Sequence, residues 1–371
     1  MRIKDLFEIN KAITTSREFF DDNKGIPCVH YGDIYRFYNE KTILSSNILN
    51  KFTLNLDKLK TINQDSIIMP DVTETITDFG HLTYIKYDKT QYINGTHTLA
   101  ILNNKNNNLK YLFYYLQSSK IKKQLQTLLL GSTVFQISKK DLENFELQSI
   151  HNENEQQHIV DIIRSLDDKI ENNNKLYKKI DEYLLLKYKK IQDKTGKGNF
   201  KDNFNILNGY AFKSKDYIEF GTYKVITIKN IKSDGFTTAS CDFIDFNDDY
   251  RKVKLNIGDI LLTMTGDVGR VGIVDQENCL LNQRVLKVTG ISPAYTYAFL
   301  KSNYYNISMI SKGSVQQNLS VNDLYNISVY NSKQQIFEFK KYDSLFEKMV
   351  ALKKENIKLQ QLKLNYLAKF F

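Results

Sequence analysis

Along residues 151–191, HNENEQQHIVDIIRSLDDKIENNNKLYKKIDEYLLLKYKKI, apolar side chains return in alternating steps of three and four, uninterrupted by Gly or Pro. The stripe runs Ile159, Ile163, Leu166, Ile170, Asn173, Tyr177, Ile180, Leu184, Lys187 and Ile191. A repeat of about 3.5 residues held for that long predicts a coiled-coil helix rather than the shorter helix of a globular core. At about 1.5 Å per residue it is a rod roughly 60 Å long. Residues 334–371 carry a second stripe: Leu345, Met349, Leu352, Asn356, Leu359, Lys363, Tyr366 and Phe370, extended backwards by Tyr342 and Glu338. Each stripe holds one Asn, and a polar seam residue fixes register and orientation at some cost in stability. Setting Asn173 against Asn356 in an antiparallel pair puts Ile159 against Phe370, Ile163 against Tyr366 and Ile170 against Leu359. Tyr177 then faces Leu352, Ile180 faces Met349, Leu184 faces Leu345 and Lys187 faces Tyr342. Only Leu166 against Lys363 and Ile191 against Glu338 are mismatched.

The pattern on either side changes period. GIPCVHYGDIY (25–35), DSIIMP (65–70), LTYIKY (82–87) and THTLAIL (96–102) predict strands, with Asn- and Asp-rich turns between them. LKYLFYYLQSSKIKKQLQTLL (109–129) predicts a helix that Gly131 ends. After the Gly/Lys-rich break QDKTGKGNFK (192–201), strands are expected over 223–231, 236–246, 259–267, 270–275 and 280–290. A helix over 294–310 follows, leading to Gly313. The two halves repeat each other. GSTVFQISKKDLENF (131–145) aligns with GSVQQNLSVNDLYNI (313–327), and YLFYYLQSS (111–119) with YTYAFLKSN (295–303). Asn94 aligns with Asn282, and a Phe-x-Ile opens both halves at Phe7 and Phe204. A period this long is a duplicated unit, not a solenoid. The fold expected is α+β: two similar mixed α/β regions separated by a pair of long antiparallel coiled-coil helices, with pseudo-twofold symmetry. The boundaries read are 1–150, 151–195 for the central helix, 196–332, and 333–371 for the C-terminal helix pairing with 151–195.

Composition adds a sign. The 371 residues carry a net charge of +10, almost all of it from Lys, which favours polyanionic partners without dictating a fold. Cys28, Cys241 and Cys279 are far apart with no CxxC pair, as in a reduced cytoplasmic protein without a metal site. The start MRIKDLFEINK is too charged for a signal sequence, and no apolar run reaches membrane-spanning length. A cytoplasmic protein with no membrane partner is therefore expected.

Catalytic signatures are missing. A base-modifying methyltransferase needs an (Asp/Asn)-Pro-Pro-aromatic tetrapeptide, but the only prolines are Pro27, Pro70 and Pro293. GKGN (196–199) lacks the spacing of a phosphate loop. Gly266, Gly269 and Gly272 in TGDVGRVG lie between strands and read as a β-turn. The acidic-x-Lys candidates Asp167-Asp168-Lys169 and Glu338-Phe339-Lys340 fall on the helices, as solvated charges. His30, His81, His97, His151 and His158 form no metal-ligand or catalytic spacing. No catalysis is expected of this chain.

Two variable regions, each ending in Gly-Ser…Ser-x-x-Asp-Leu and followed by a long helix, carry a family likeness. The first helix opens with Glu-Gln-Gln-x-Ile-Val…Leu-Asp-x-Lys-Ile (Glu155–Ile170). With LNGYAFKSKDY (207–217), GDILLTMTGDVGRVGIV (258–274) and LLNQRVLKV (280–288), the chain resembles the specificity subunit of type I restriction–modification systems over nearly its whole length. The first half departs from the pattern, with NKAITTSREF (10–19) in place of the NGYAFKS segment and MPDVTETITDFG (69–80) in place of the Thr-Gly-x-x-Gly turn. Gln334-Gln335 stands for the Glu-Gln pair at the second helix. The resemblance implies a non-catalytic subunit with two target recognition domains, each reading one half of a split site on double-stranded DNA. The helices would set the spacer and dock two methyltransferase subunits, and motor and nuclease subunits would join the assembled complex. S-adenosylmethionine, ATP and Mg would then belong to the partner subunits, with no cofactor in this chain. A structural coiled-coil adaptor with two protein-binding modules, and a solitary enzyme, are the competing classes.

Recognition is carried by loops on a rigid scaffold. In the second region the expected readers are Thr265, Arg270, Asn282, Gln283, Arg284, Lys312, Ser314, Gln316, Gln317 and Asn318. Arg270 and Arg284 suit guanine O6 and N7, while Gln316, Gln317 and Asn318 suit adenine N6 and N7. In the first region they are Thr73, Thr75, Asn94, Thr96, His97, Ser132, Thr133 and Gln136. These include no Arg, so a guanine read there would need Arg17, Arg36 or a Lys.

Overall fold

A computed structural model of the chain describes all residues except 22–23, 39–42, 46–48, 54–59, 104–106, 149, 193–197, 234 and 312–317, and only the backbone of 37, 38 and 43. Two units emerge, Met1–Lys169 with Leu359–Phe371, and Ile170–Lys358.

The first unit contains β1 (Phe7–Lys11), β2 (Ile26–Val29), β3 (Ser66–Pro70), β4 (Thr83–Lys86), β5 (Ile93–Asn94) and β6 (Thr98–Asn103). These precede α1 (Leu109–Gln117), α2 (Ser119–Gln126) and the first part of α3 (Glu153–Ile191). The main sheet runs β1-β6-β3-β4, antiparallel throughout, with Ile43–Ser45 added in parallel at its edge. Both faces of this sheet are covered, so β3 is buried at every residue and its sequence is an apolar run rather than an alternation. One face packs on Tyr111–Leu116 of α1 together with Ile159, Val160, Ile163 and Leu367. The other meets a smaller cluster that includes Val29, Ile34, Ile62 and Tyr92.

The second unit contains β7 (Phe204–Asn208), β8 (Tyr223–Ile226), β9 (Ile260–Thr263), β10 (Val271–Ile273), β11 (Cys279–Leu281) and β12 (Val285–Gly290). α4 (Pro293–Ser302), α5 (Tyr304–Met309), α6 (Lys333–Phe339) and most of α7 (Asp343–Phe370) follow. Its main sheet runs β7-β12-β9-β10, the same order and the same antiparallel pairing. Even the register repeats. Phe7 faces Asn103 as Phe204 faces Gly290, and Thr98 faces Pro70 as Val285 faces Thr263. A second, parallel pairing sets Val29 beside Asn94 and Ile226 beside Leu281.

This register corrects one alignment. The Gly95 amide bonds the Val29 carbonyl at 2.9 Å as the Asn282 amide bonds Ile226 at 3.1 Å. The counterpart of Asn282 is thus Gly95, not Asn94, because matching side chains had been aligned where hydrogen bonds decide. Several elements also differ from expectation: the strand expected over 223–231 ends at Ile226, and those over 236–246 and 280–290 each divide in two. The strand expected over 25–35 stops at Val29, where His30 caps a helical turn by accepting from the Gly32 amide at 3.2 Å. The helix expected over 109–129 divides at Ser118, whose ψ of 137° turns the chain. The one expected over 294–310 divides at Asn303, which donates to the Phe299 carbonyl at 2.9 Å. At Asn303 a short polar side chain that competes for helix hydrogen bonds explains the division.

The long helices are each seen within a unit. In the second unit Asn173 Nδ2 donates to Asn356 Oδ1 at 2.9 Å and Asn356 Nδ2 to Asn174 Oδ1 at 2.8 Å, with both seam Asn buried. The Tyr183 and Tyr342 rings lie 5.9 Å apart, so partner numbers fall as α3 numbers rise and the pair is antiparallel. Ile180, Leu184, Met349 and Leu352, with Tyr177 and Leu345 at the margin, join the core there. In the first unit Tyr366 and Phe370 pack against the cluster holding Ile159 and Ile163. Lys363, which the seam left opposite Leu166, reaches Asp167 at 2.8 Å. Ile170 and Leu359 are half-buried. The backward extension of the second stripe holds at Tyr342, which packs on the core, and fails at Glu338. A 3₁₀ turn at Lys340–Tyr342 winds more tightly than an α-helix; Glu338 is exposed, and Ile336 and Phe339 are buried instead.

Candidate nucleic-acid interface

In both units the central strands end on the same backbone frame. In the first, the Asp71 amide donates to the His97 carbonyl at 3.1 Å and the Ile137 amide to the Asp71 carbonyl at 2.9 Å. In the second, the Met264 amide donates to the Arg284 carbonyl at 3.0 Å and the Leu319 amide to the Met264 carbonyl at 2.8 Å. His97 therefore corresponds to Arg284 and Asp71 to Met264. Val72 pairs with Gln136 as Thr265 bridges Asn318. Each frame gathers three loops that are remote in sequence. Glycines shape both frames: a Cβ on Gly209 would lie 2.1 Å from the carbonyl oxygen of Asn282 on a remote strand end, and one on Gly131 (φ +133°) would lie 2.1 Å from that of Val134 within its own turn.

Around the first frame, His97 Nδ1 lies 3.5 Å from Asp71 Oδ1, and Gln136 Nε2 lies 3.5 Å from Asp71 Oδ2. Burial raises the Asp71 carboxyl, and His97 and Gln136 pull it back. His97 is left-handed at φ 58° and half-exposed, a conformation uncommon for a residue with a Cβ. Ser132, Thr133, Gln136 and Thr75 are exposed. Three expected readers are turned inward. Asn94 is 3% exposed with its amide toward the Thr98 carbonyl. Thr73 donates to the Thr75 carbonyl at 2.8 Å. Thr96 is locked to Thr15 by reciprocal hydrogen bonds, its Oγ1 donating to the Thr15 carbonyl at 2.8 Å. They hold the loops that carry the exposed residues.

Beside His97 opens a cleft of about 450 Å³, lined by Arg17, Tyr31, Tyr35, Arg36, Thr73 and His97 among others. Arg17 and Arg36 are exposed and form no salt bridge with a described residue. Arg17 lies over Gly32, where a Cβ would meet its guanidinium at 2.3 Å. Tyr31 stands edge-on to His97, with ring centroids 5.5 Å apart. Burial, then Arg17, then His97 push His30 down to about 4, so it adds no positive charge at neutral pH. Glu74 and Asp78 also line the cleft; beside them two guanidinium groups, two tyrosines and an imidazole offer partners for phosphates and base edges. Sequence reasoning missed Tyr31 and Tyr35, which lie in the segment expected to be strand.

Around the second frame, Arg284 and Gln283 are exposed. Arg284 makes no ion pair with a described residue, and its amide bonds Asn282 Oδ1 at 3.2 Å. Arg270, the other expected guanine reader, is held by Asp267 in an ion pair, so its charge is already answered. Thr265 Oγ1 is buried without a hydrogen-bond partner among the described residues. Lys312, Ser314, Gln316 and Gln317 lie outside the described residues. Tyr210, missed as a candidate although it sits in the quoted LNGYAFKS run, follows Gly209 beside Asn282. Its ring meets Phe212 at a tilt and Tyr250 edge-on, with centroid distances of 5.1 Å each. Among the described residues no cluster of His, Cys, Asp and Glu could hold a metal ion. No described helix is long and apolar enough to cross a membrane.

Known families distinguish the two frames from a chance duplication. The model of the type I restriction modification DNA specificity domain matches twice, over residues 1–182 and 192–361. The chain belongs to that family. A likeness in fold accompanies it: the S subunit of a type I restriction-modification system from M. genitalium is 18% identical. That likeness covers 100% of this chain and 95% of that one, with a TM-score of 0.58. The HsdS subunit from Thermoanaerobacter tengcongensis is 14% identical over 100% of this chain and 95% of that one, with a TM-score of 0.35. No curated protein matches the chain. As a type I specificity-domain protein it is concerned with DNA sequence specificity, and its two matches fall on the two frames.

Proposed function

We propose that this chain is the DNA-reading, non-catalytic subunit of a type I restriction–modification complex, and that each frame reads one half of a split site. The observation that carries this is a single backbone frame built twice with different side chains on it. Asp71 and Met264, His97 and Arg284, Gln136 and Asn318 occupy equivalent places. A duplicated scaffold gives two reading heads; unlike side chains give two unlike half-sites. The target recognition domains are 1–150 and 196–332. The paired helices set the spacing between half-sites, since a seam fixed by buried Asn resists slipping. Exposed apolar side chains on those helices, Leu176, Tyr183 and Leu186 on α3 and Leu362 and Leu364 on α7, offer docking surfaces for two methyltransferase subunits. Motor and nuclease subunits join the assembled complex, and S-adenosylmethionine, ATP and Mg act in the partners.

Expressed with its neighbouring genes, the chain should co-purify with a methyltransferase bearing the Pro-Pro motif it lacks. It should bind duplex DNA with an affinity that falls linearly on a log–log salt plot. A chain that purifies without such a partner and binds DNA no better at low salt than at high salt is an adaptor, not a specificity subunit.

A further inference from the structure

The two frames differ most sharply at one position. The carbonyls of His97 and Arg284 accept the same backbone bond, from Asp71 and Met264 respectively. In the first unit the residue beneath is a carboxylate that His97 Nδ1 approaches to 3.5 Å on its buried oxygen, where no hydrogen bond from a described residue otherwise reaches it, and Gln136 Nε2 to 3.5 Å on the other. That leaves His97 a single open ring nitrogen, Nε2. In the second unit the residue beneath is Met264, packed against the apolar core, which offers no charge to Arg284. An arginine without a carboxylate partner keeps its full fork of donors for a base.

We propose that residues 97 and 284 are one specificity-determining position present in both halves, and that the residue under it, Asp71 or Met264, sets what it reads. Over Met264, Arg284 reads guanine through O6 and N7. Over Asp71, His97 makes one hydrogen bond and does not demand guanine. The inference rests on the half-site reading proposed above. The other expected guanine reader in the second unit, Arg270, is paired with Asp267.

The test uses the full chain in complex with its methyltransferase and a panel of duplexes with every base at every position of both half-sites. Arg284→Ala should lose roughly 5- to 150-fold of the guanine preference at one position of one half-site, leaving the other half-site untouched. Arg284→Lys, which keeps the charge without the fork, should retain affinity for non-cognate DNA and still lose most of that preference. Met264→Asp should weaken guanine preference at the same position. His97→Asn, which tolerates the left-handed backbone, should alter the preference only at the corresponding position of the other half-site. Equal loss of affinity for all bases in Arg284→Ala, or none, overturns the proposal, as does an effect of His97→Asn and Arg284→Ala on the same half-site. A wild-type complex with no base preference in either half fails the functional reading itself. Preferences that are present and unmoved by Arg284→Ala fail this inference alone.

Discussion

Asp275 shows how a single buried carboxyl couples this fold to pH. It is 8% exposed, its Oδ1 has no hydrogen-bond partner among the described residues, and burial outweighs the pull of Lys353. Its pKa is thereby pushed from 3.8 up to about 6. A carboxyl that holds its proton more tightly when folded contributes stability in acid and loses it as pH rises through that interval. The loss from pH 4 to 6 is on the order of 2–3 kcal/mol. Asp275→Asn should remove this slope and raise the urea midpoint at pH 7; an unchanged midpoint at both pH values would show the carboxyl to be solvated. Asp167 and Lys363 form the other costly pair, 8% and 13% exposed, with the Tyr114 hydroxyl donating to Asp167 at 3.0 Å. Burial moves the carboxyl up and the ammonium down in spite of their contact, so desolvation outweighs attraction. Lys363→Ala should therefore cost about 3–5 kcal/mol by stranding Asp167, while replacing both with apolar residues should cost far less. Thermal denaturation of the single and double variants compares them. Asp167 and Asp181, whose carboxylates accept the hydroxyls of Tyr114 and Tyr297, were illegible in the sequence. A charge on a helix reads as solvated until the tyrosine that buries it is known.

At the scale of elements, the helical seam was the most legible feature, because a 3.5-residue repeat depends on local spacing alone. No stripe position from Ile159 to Ile191 is exposed. Where the stripe crossed Lys340–Tyr342 the spacing argument failed, since a 3₁₀ turn shifts the phase of every residue before it. The sheet was legible as strands but not as pairings: β3 and β6 read clearly, while the cleft residues Tyr31 and Tyr35 fell in a segment whose mixed pattern fits either strand or helix. α3 begins with a reciprocal cap, Asn152 with Glu155, and so does α6, the short helix that precedes α7, Ser332 with Gln335. By cap position Gln335 is the counterpart of Glu155, which shifts the aligned Glu-Gln pair by one. The Asn173–Asn356 contact gives this scale its test. Asn173→Ala alone should cost about 1–3 kcal/mol by leaving the buried Asn356 Oδ1 without its donor, while Asn356 Nδ2 keeps Asn174. The double Leu variant should be at least as stable as wild type but free to slip. A cysteine pair at 173 and 356 should cross-link quickly on oxidation in the wild-type register, and its failure to do so would contradict the pairing.

For the whole molecule, the duplication was visible in the sequence through Gly-Ser and Asp-Leu landmarks, but its true register came only from backbone hydrogen bonds, which moved Asn282 from Asn94 to Gly95. The same limit applies to the reading surface. Residue type alone groups His97, Arg284 and Gln136, which are exposed, with Asn94, Thr73 and Thr96, whose polar groups hydrogen-bond within the protein. The account as a whole says that one chain carries two different reading heads that direct the methylation of one split site. Mapping methylated adenines across the genome of cells producing the complex, with and without this chain, tests that most directly. The account predicts that a single asymmetric, two-part motif is methylated when the chain is present and loses its methylation when it is removed. A methylation pattern unchanged by its removal, or a continuous motif without a gap, would contradict it.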